Sequence, residues 1–65
     1  MKSLLKVRLA ERRMTQRELA RRCEVDENTV WVWTTDKGAE GLSLRRLEQI
    51  AKALSCKITE LFEEE

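Results

Sequence analysis

Few residue types capable of catalytic or metal chemistry occur in this sequence. It has no histidine and only two cysteines, Cys23 and Cys56, among its 65 residues. A tetrahedral zinc site needs about four Cys or His ligands, and a serine or cysteine nucleophile usually needs a histidine base. The two glycines, Gly38 and Gly41, do not form a phosphate-binding motif. We therefore predict that the protein is not an enzyme and uses no metal or cofactor.

Both cysteines fall at apolar helical positions, which favours two small buried hydrophobic side chains. A single disulfide is the alternative, although a cytosolic protein would keep both thiols reduced. No apolar run approaches the ~20 residues of a membrane span, and the N-terminus lacks the pattern of a signal peptide. We expect a cytoplasmic protein without a membrane segment.

Charge is distributed unevenly along the chain, although the net charge is only +1. Residues 1–22 carry eight Lys/Arg against two Asp/Glu, a net of +6, and residues 23–42 carry one against five, a net of −4. The basic block is either a face for a polyanion or an ordinary solvated helix surface. Charge alone leaves both interpretations open.

Apolar spacing and capping residues predict an all-α fold of five helices with no strand. The first helix spans about residues 3–13. The second opens with Thr15-Gln16-Arg17-Glu18, a capping box in which Thr15 and Glu18 bond each other's backbone amides. The third opens at Asp26, a good N-cap, and runs to Trp33 or Thr34.

The second half of the chain continues the helical pattern after a loop over residues 35–42, which holds both glycines. Ser43 caps the fourth helix, and a short fifth helix ends in three glutamates, where charge repulsion with the helix dipole predicts fraying. The apolar stripe of the fourth helix is Leu44, Leu47, Ile50, Ala51 and Leu54, and the apolar residues of the fifth are Ile58, Leu61 and Phe62.

Residues 16–33 form two short helices separated only by Cys23-Glu24-Val25. Ala20 is small enough for the second helix to cross the first closely. This spacing is typical of a helix-turn-helix, whose second helix enters the major groove of DNA. The side chains predicted to face inward are Leu19, Ala20, Cys23, Val25, Val30 and Trp33.

A wider set of residues resembles the Cro/CI-like (XRE-type) helix-turn-helix regulators, especially the small stand-alone members of bacteria and phages. The matching residues are Met14-Thr15-Gln16, Glu18-Leu19-Ala20, Val25, Thr29-Val30, Trp33, residues 47–54, Cys56 and Glu60-Leu61-Phe62. The resemblance implies one five-helix, lambda-repressor-like domain over residues 1–65, with the helix-turn-helix at about 15–34. It also implies a dimeric operator, a role in transcription and a bacterial or phage-encoded, nucleoid-associated protein.

Three features depart from the family pattern. Glu24 stands where a glycine is usual, so either it adopts a left-handed backbone or the turn differs. Carboxylates at Asp26 and Glu27 begin the recognition helix, where phosphates would repel them. Trp31 stands at a position that is usually polar and exposed.

The resemblance and the helical phase together predict the residues that contact double-stranded DNA. Gln16 and Arg17, at the start of the second helix, are expected to hold phosphates. If Val30 and Trp33 face inward, the opposite face of the third helix reads bases, with the Asn28 amide matched to adenine and Val32 to a thymine methyl. The phosphate candidates are Gln16, Arg17, Thr34, Thr35, Lys37, Arg45 and Arg46, and the base candidates are Glu27, Asn28, Trp31 and Val32.

The predicted function is a sequence-specific transcriptional regulator, a repressor or autoregulator, that binds its operator as a homodimer. Because 65 residues leave no room for a sensor domain, we expect regulation through abundance, dimerisation or a partner. The alternative is a helix-turn-helix fold used as a protein-interaction module, antitoxin-like or adaptor, which Asp26, Glu27 and an exposed Trp31 would favour.

Overall fold

A computed structural model of the chain describes residues 2–63. β1 (Lys2–Ser3) precedes α1 (Leu5–Glu11), α2 (Gln16–Cys23), α3 (Glu27–Trp33), α4 (Asp36–Glu40) and α5 (Leu44–Leu54), and a 3-10 turn (Ile58–Glu60) leads into β2 (Phe62–Glu63). The predicted all-α class is confirmed. Within the described residues, no helix has the length and apolar character needed to cross a membrane. Met1, Glu64 and Glu65 lie outside the described residues, and so does most of the segment where we expect fraying.

The core gathers side chains from α1, α2, α3 and α5, together with Leu61, which follows the 3-10 turn. The inward faces predicted for α2 and α3 are confirmed, since Leu19 and Val30 are completely buried and Trp33 is only 5% exposed. The buried core residues are Leu5, Leu9, Leu19, Ala20, Cys23, Val30, Trp33, Ile50, Ala51, Leu54 and Leu61.

Both cysteines carry free thiols. Cys23 is buried as predicted, whereas Cys56 is half-buried and packs against the edge of the core. Burial raises the pKa of both thiols above the ordinary cysteine value, so both are protonated near neutral pH. Each behaves as a small apolar side chain rather than as a nucleophile.

The apolar stripe predicted for the helix after Ser43 is wrong at its first position. Leu44 is 64% exposed, whereas Ile50 and Leu54 are 1% exposed. As the first residue of α5, Leu44 lies at the end of the helix, beyond the part that the core covers. Helical phase alone does not show where along a helix the packing begins.

The two ends of the described chain meet, which the prediction of no strand missed. β1 and β2 pair antiparallel over two residues, and the Leu4 amide donates to the Leu61 carbonyl at 2.9 Å. Ser3 joins this pair to the helices, since its amide donates to the Asp36 carboxylate (2.8 Å) and its hydroxyl to the Trp33 carbonyl (3.0 Å). These bonds explain why α1 starts at Leu5 rather than at residue 3.

The predicted loop over residues 35–42 is also wrong, because it contains α4. Thr35 begins this helix, and its side-chain oxygen accepts a hydrogen bond from the Gly38 amide at 3.0 Å. The predicted fifth helix shortens to the 3-10 turn Ile58–Glu60, after which Phe62 enters β2. Within residues 2–63 the predicted number of five α-helices is therefore correct, but the set includes α4 in place of a helix around Ile58.

Three helices end on a residue other than glycine whose φ is positive, namely Arg13 (52°), Glu24 (58°) and Ser55 (54°). In each case the amide of the next residue donates to a carbonyl five positions earlier, which is the Schellman arrangement of helix ends. The pairs are Met14 to Leu9 (3.0 Å), Val25 to Ala20 (2.9 Å) and Cys56 to Ala51 (3.0 Å). Each donor residue is half-buried against the core, so its packing supports the left-handed residue before it.

Gly38 lets α4 approach the end of α3 closely. A Cβ at this position would overlap the Val32 carbonyl oxygen and lie 2.8 Å from the Thr35 hydroxyl oxygen. The carbonyl oxygen belongs to the backbone and cannot rotate away, so we expect Gly38→Ala to destabilise the fold by about 2 kcal/mol. Thermal or urea unfolding followed by circular dichroism measures this change.

Gly41→Ala is the matched control, because a Cβ there meets only the Gly38 carbonyl oxygen at 3.7 Å, an ordinary contact. Its φ of −85° suits any residue, so this variant is expected to be neutral or slightly stabilised. Since helix propensity favours alanine over glycine by about 1 kcal/mol, a stabilised Gly38→Ala would contradict the proposed close approach.

Candidate nucleic-acid interface

The first helix of the helix-turn-helix, α2, begins as its sequence predicts. The Thr15 side-chain oxygen accepts a hydrogen bond from the Glu18 amide at 3.0 Å. The reciprocal half of the predicted capping box is wrong, because the Glu18 carboxylate instead accepts from Arg22 at 3.2 Å. Gln16, the first residue of α2, is half-buried, and Arg17 beside it is exposed.

The turn between α2 and α3 depends on the left-handed backbone of Glu24 (φ 58°, ψ 40°). This result confirms the first of the two alternatives left open for the residue. The Glu24 amide donates to the Arg21 carbonyl at 3.2 Å, and the next residue, Val25, turns inward against the core. The chain thus leaves α2 and is ready to start α3 two residues later.

Asp26 closes the turn by capping α3. Its carboxylate accepts from the Thr29 amide at 2.7 Å and from the Thr29 hydroxyl at 2.8 Å. These two hydrogen bonds lower the pKa of Asp26 below the ordinary aspartate value, so the cap is charged at neutral pH. Both carboxylates that begin the recognition helix lie on the exposed surface, and that of Asp26 already has a structural partner in Thr29.

The outer face of α3 carries all four side chains predicted to read bases. Glu27 and Asn28 are exposed, and the exposed fractions of Trp31 and Val32 are 54% and 39%. Asn28 precedes Trp31 by three residues and Val32 by four, so the three side chains are neighbours on the helix surface. Their placement leaves them accessible to a ligand as large as double-stranded DNA.

Helix α5 holds the helix-turn-helix from behind through Arg46 and Gln49. The Arg46 guanidinium lies 5.2 Å from the centre of the Trp33 ring, a cation–π distance, and donates to the Gln49 side-chain oxygen at 2.6 Å. The Gln49 amide in turn donates to the Cys23 carbonyl at the end of α2, at 3.3 Å. One chain of contacts therefore links α5 to both helices of the motif.

The sequence does not indicate that Arg46 and Gln49 link α5 to the helix-turn-helix. Arg46 is predicted as a phosphate contact, and the structure gives its half-buried guanidinium protein partners instead of leaving it free in solvent. Gln49 looks like any polar residue on a solvated helix face. Its partner lies 26 positions earlier in the chain, and no local pattern signals such a contact.

The other phosphate candidates lie on α2, at the α3–α4 junction and at the start of α5. Thr34 and Thr35 are half-buried, and their hydroxyls donate to the Trp31 and Val32 carbonyls, each at 2.6 Å. Lys37 and Arg45 are exposed, as Arg17 is. The exposed cations among the phosphate candidates are therefore Arg17, Lys37 and Arg45.

The basic block of residues 1–22 has in part a structural role. Arg8 donates through Nε to the Glu60 carbonyl at 2.7 Å, and Arg12 donates through Nε to the Leu54 carbonyl. Both guanidinium groups also pair with Glu11. Two of the eight cations in the block thus hold α1 against the C-terminal third of the described chain, so the interpretation of the block as one polyanion-binding face does not hold for them.

Two short helices joined by a capped three-residue turn, with a supporting helix behind and an exposed outer face in front, define a helix-turn-helix domain. The chain matches the family of Cro/C1-type HTH DNA-binding domains over residues 4–65, and it belongs to that family. No curated protein and no solved structure gives a match to it. The resemblance drawn from the sequence is therefore confirmed, and the domain binds DNA as its family does.

Replacing Glu24 by glycine is expected to stabilise the domain. The left-handed conformation costs a residue with a Cβ about 1–2 kcal/mol, and the greater freedom of glycine in the unfolded chain offsets about 0.5–1 kcal/mol of that relief. We therefore expect Glu24→Gly to raise the free energy of unfolding by about 0.5–1 kcal/mol. Chemical denaturation of the wild type and the variant in parallel measures this gain.

Glu24→Ala is the matched control, because it removes the same charge and side chain but keeps the Cβ that opposes the left-handed backbone. It is expected to show no gain. Equal stabilisation of both variants would assign the effect to the charge of Glu24 rather than to its backbone conformation.

Proposed function

We propose that this DNA-binding domain is a sequence-specific transcriptional regulator, a repressor or autoregulator, that binds its operator as a homodimer. The observation that carries the proposal is the outer face of α3, which presents Asn28, Trp31 and Val32 on a family-matched helix-turn-helix. The experiment that tests it is selection of bound duplexes from a random pool, followed by titration at two salt concentrations. Enrichment of one sequence supports the proposal, and binding without sequence preference contradicts it.

We assign the contacts with the DNA backbone to side chains on the helices next to α3 rather than to α3 itself. Residues 27–33 include no Lys or Arg, so attraction to phosphates has to come from exposed neighbours. Arg17 at the start of α2, Lys37 on α4 and Arg45 on α5 supply positive charge, and the Gln16 side chain adds a hydrogen-bond donor. Such contacts fix the register of the protein but carry no sequence information.

Base reading is assigned to Asn28 and Glu27 among the polar side chains of α3. The Asn28 amide has a donor and an acceptor, which match N7 and the N6 amino group of adenine, and the Glu27 carboxylate can accept from the amino group of cytosine. Both side chains are exposed near the N-terminal end of α3, the end of a recognition helix that usually contacts base edges.

A protein-interaction module remains the second candidate function, and the observation that favours it is the 54% exposure of Trp31. Large exposed aromatic side chains mark contact surfaces for proteins as well as for DNA. Salt separates the two functions. Binding through several phosphates weakens steeply as salt rises, whereas an apolar contact centred on Trp31 does not.

We expect two chains per operator, related by a two-fold axis, with half-sites about one helical turn apart, because one recognition helix reads only a few base pairs. The sequence predicts that the apolar surface of the dimer comes either from Ile58, Leu61 and Phe62 or from Trp31, and the first of these two alternatives needs correction. Leu61 is 4% exposed and belongs to the core, and the other two are half-buried against it. Sedimentation of the saturated complex measures the stoichiometry, and one chain per operator would contradict the dimer.

Two substitutions are expected to separate positioning from reading. Arg17→Ala should weaken binding to all duplexes similarly and flatten the salt dependence by about one unit, because one phosphate contact is lost. Asn28→Ala should cost about 1–3 kcal/mol on the selected duplex and relax discrimination at one base pair, with little change on scrambled DNA. Titrations of both variants on both duplexes at two salt concentrations provide the measurement.

Each variant serves as the control for the other, because both side chains are exposed on the helix-turn-helix and neither supports the core. An Asn28→Ala variant that loses equal affinity for both duplexes would show that Asn28 does not read sequence. If that variant binds both duplexes normally and Trp31→Ala abolishes binding to a protein partner, the interaction-module function is correct instead.

A further inference from the structure

The outer face of α3 has an apolar centre. Within residues 2–63, the large hydrophobic side chains that are exposed are Val7, Trp31, Val32 and Leu44. Trp31 and Val32 are adjacent in the chain, and both are one turn of helix from Asn28. The other two exposed residues lie on different helices, α1 and α5. Two of these four exposed hydrophobic side chains therefore lie together on the surface that, under the proposed function, faces the base edges.

Three polar side chains near this apolar centre, Asp26, Thr34 and Thr35, already have partners in the protein. The Asp26 carboxylate accepts two hydrogen bonds from Thr29, and the Thr34 and Thr35 hydroxyls donate to carbonyls at the end of α3. Residues 27–33 also include no cation. Trp31 and Val32 therefore offer apolar contact area to a ligand, and hydrogen bonds must come from Asn28 and Glu27.

The major groove of DNA presents one kind of apolar group on its base edges, the methyl group at C5 of a pyrimidine. Thymine carries it always, and cytosine carries it when methylated. We propose that Trp31 and Val32 recognise pyrimidine C5-methyl groups, so that methylated pyrimidines are part of the sequence that this domain selects. This inference rests on the proposed sequence-specific DNA binding and adds to it the chemical group that α3 recognises.

The size of the effect can be calculated from the burial of one methyl group. Covering one such carbon by apolar atoms changes an equilibrium constant roughly fourfold. Deoxyuridine differs from thymidine only by the missing methyl, and all hydrogen-bonding groups of the base pair remain. Replacing one recognised thymine by uracil should therefore weaken binding about fourfold, and replacing two should weaken it about sixteenfold if the contacts are independent.

The test starts from a duplex that the wild-type chain selects from a random pool. The duplex is synthesised again with deoxyuridine at each thymine in turn, and the affinity of every version is measured at one salt concentration. We expect one or two positions in each half-site to show about a fourfold loss and the remaining thymines to show none. A duplex in which no thymine and no pair of thymines shows a loss would overturn the proposal.

Four variants assign the effect to side chains. Val32→Ala or Trp31→Ala should bind the thymine and uracil versions of a sensitive position equally, because the methyl has lost its contact. Val7→Ala is the matched control, since it truncates another exposed valine, on α1 (48% against 39% for Val32), and it should keep the full difference. Asn28→Ala should weaken both versions and keep the ratio between them. A ratio that persists in both Trp31→Ala and Val32→Ala would overturn the assignment.

Circular dichroism of each variant serves as a check on folding, and the exposure of both side chains leads us to expect native spectra. The two sources of the methyl are separated at the same positions by comparing cytosine with 5-methylcytosine. A fourfold preference for the methylated base shows that the methyl alone is recognised. Equal affinities, with the uracil effect retained, assign thymine as the source.

Failure of this inference is distinguishable from failure of the proposed function. A selected sequence that tolerates uracil at every thymine leaves sequence-specific binding intact and removes only methyl recognition. A pool that yields no enriched sequence removes both. If Trp31→Ala changes no DNA affinity but abolishes binding to a protein partner, Trp31 belongs to a protein interface, and methyl recognition by this residue is overturned.

Discussion

The arrangement of this domain depends on the left-handed backbone of a single residue, Glu24. A right-handed residue at this position would continue α2, and Val25 would no longer meet the core. With φ at 58°, the chain turns so that Val25 packs inward and the following residue, Asp26, is free to cap α3. Two backbone hydrogen bonds and the burial of Val25 offset the conformational cost, which is about 1–2 kcal/mol. The turn is therefore specified by Val25 and Asp26 rather than by Glu24 itself.

Helices of seven and eight residues are too short to be stable alone, so packing has to supply the stability of α2 and α3. Their inner sides bury Leu19 and Val30 completely, and the contacts from Arg46 to Trp33 and from Gln49 to the end of α2 support them from α5. All of these interactions lie on the inner side of the motif. The outer side of α3 does not support the core, so its side chains are free to suit a ligand.

Much of this fold could be predicted from local sequence, because a helix start is a local chemical event. The side chains of Thr15, Asp26 and Ser43 each accept from an amide three positions later, as their residue types indicate. Where distant contacts decide, the sequence interpretation failed. Phe62 is predicted to be helical but lies in β2, because β1 pairs with this segment. Within the candidate site, the exposure of Asn28 followed from the helical phase of Val30, whereas the contacts of Gln49 had no local signal.

The charge of the recognition helix argues for specificity over strength of binding. DNA affinity that is independent of sequence grows with the number of phosphates neutralised, and residues 27–33 contribute an acidic side chain and no basic one. Several cations of the N-terminal third are also occupied, since Arg8 and Arg12 bond to backbone carbonyls and Arg22 pairs with Glu18. We therefore expect the attraction to random DNA to be low. Under the proposed function, contacts with base edges would then supply a larger share of the binding free energy, and each group that α3 reads would contribute more to discrimination.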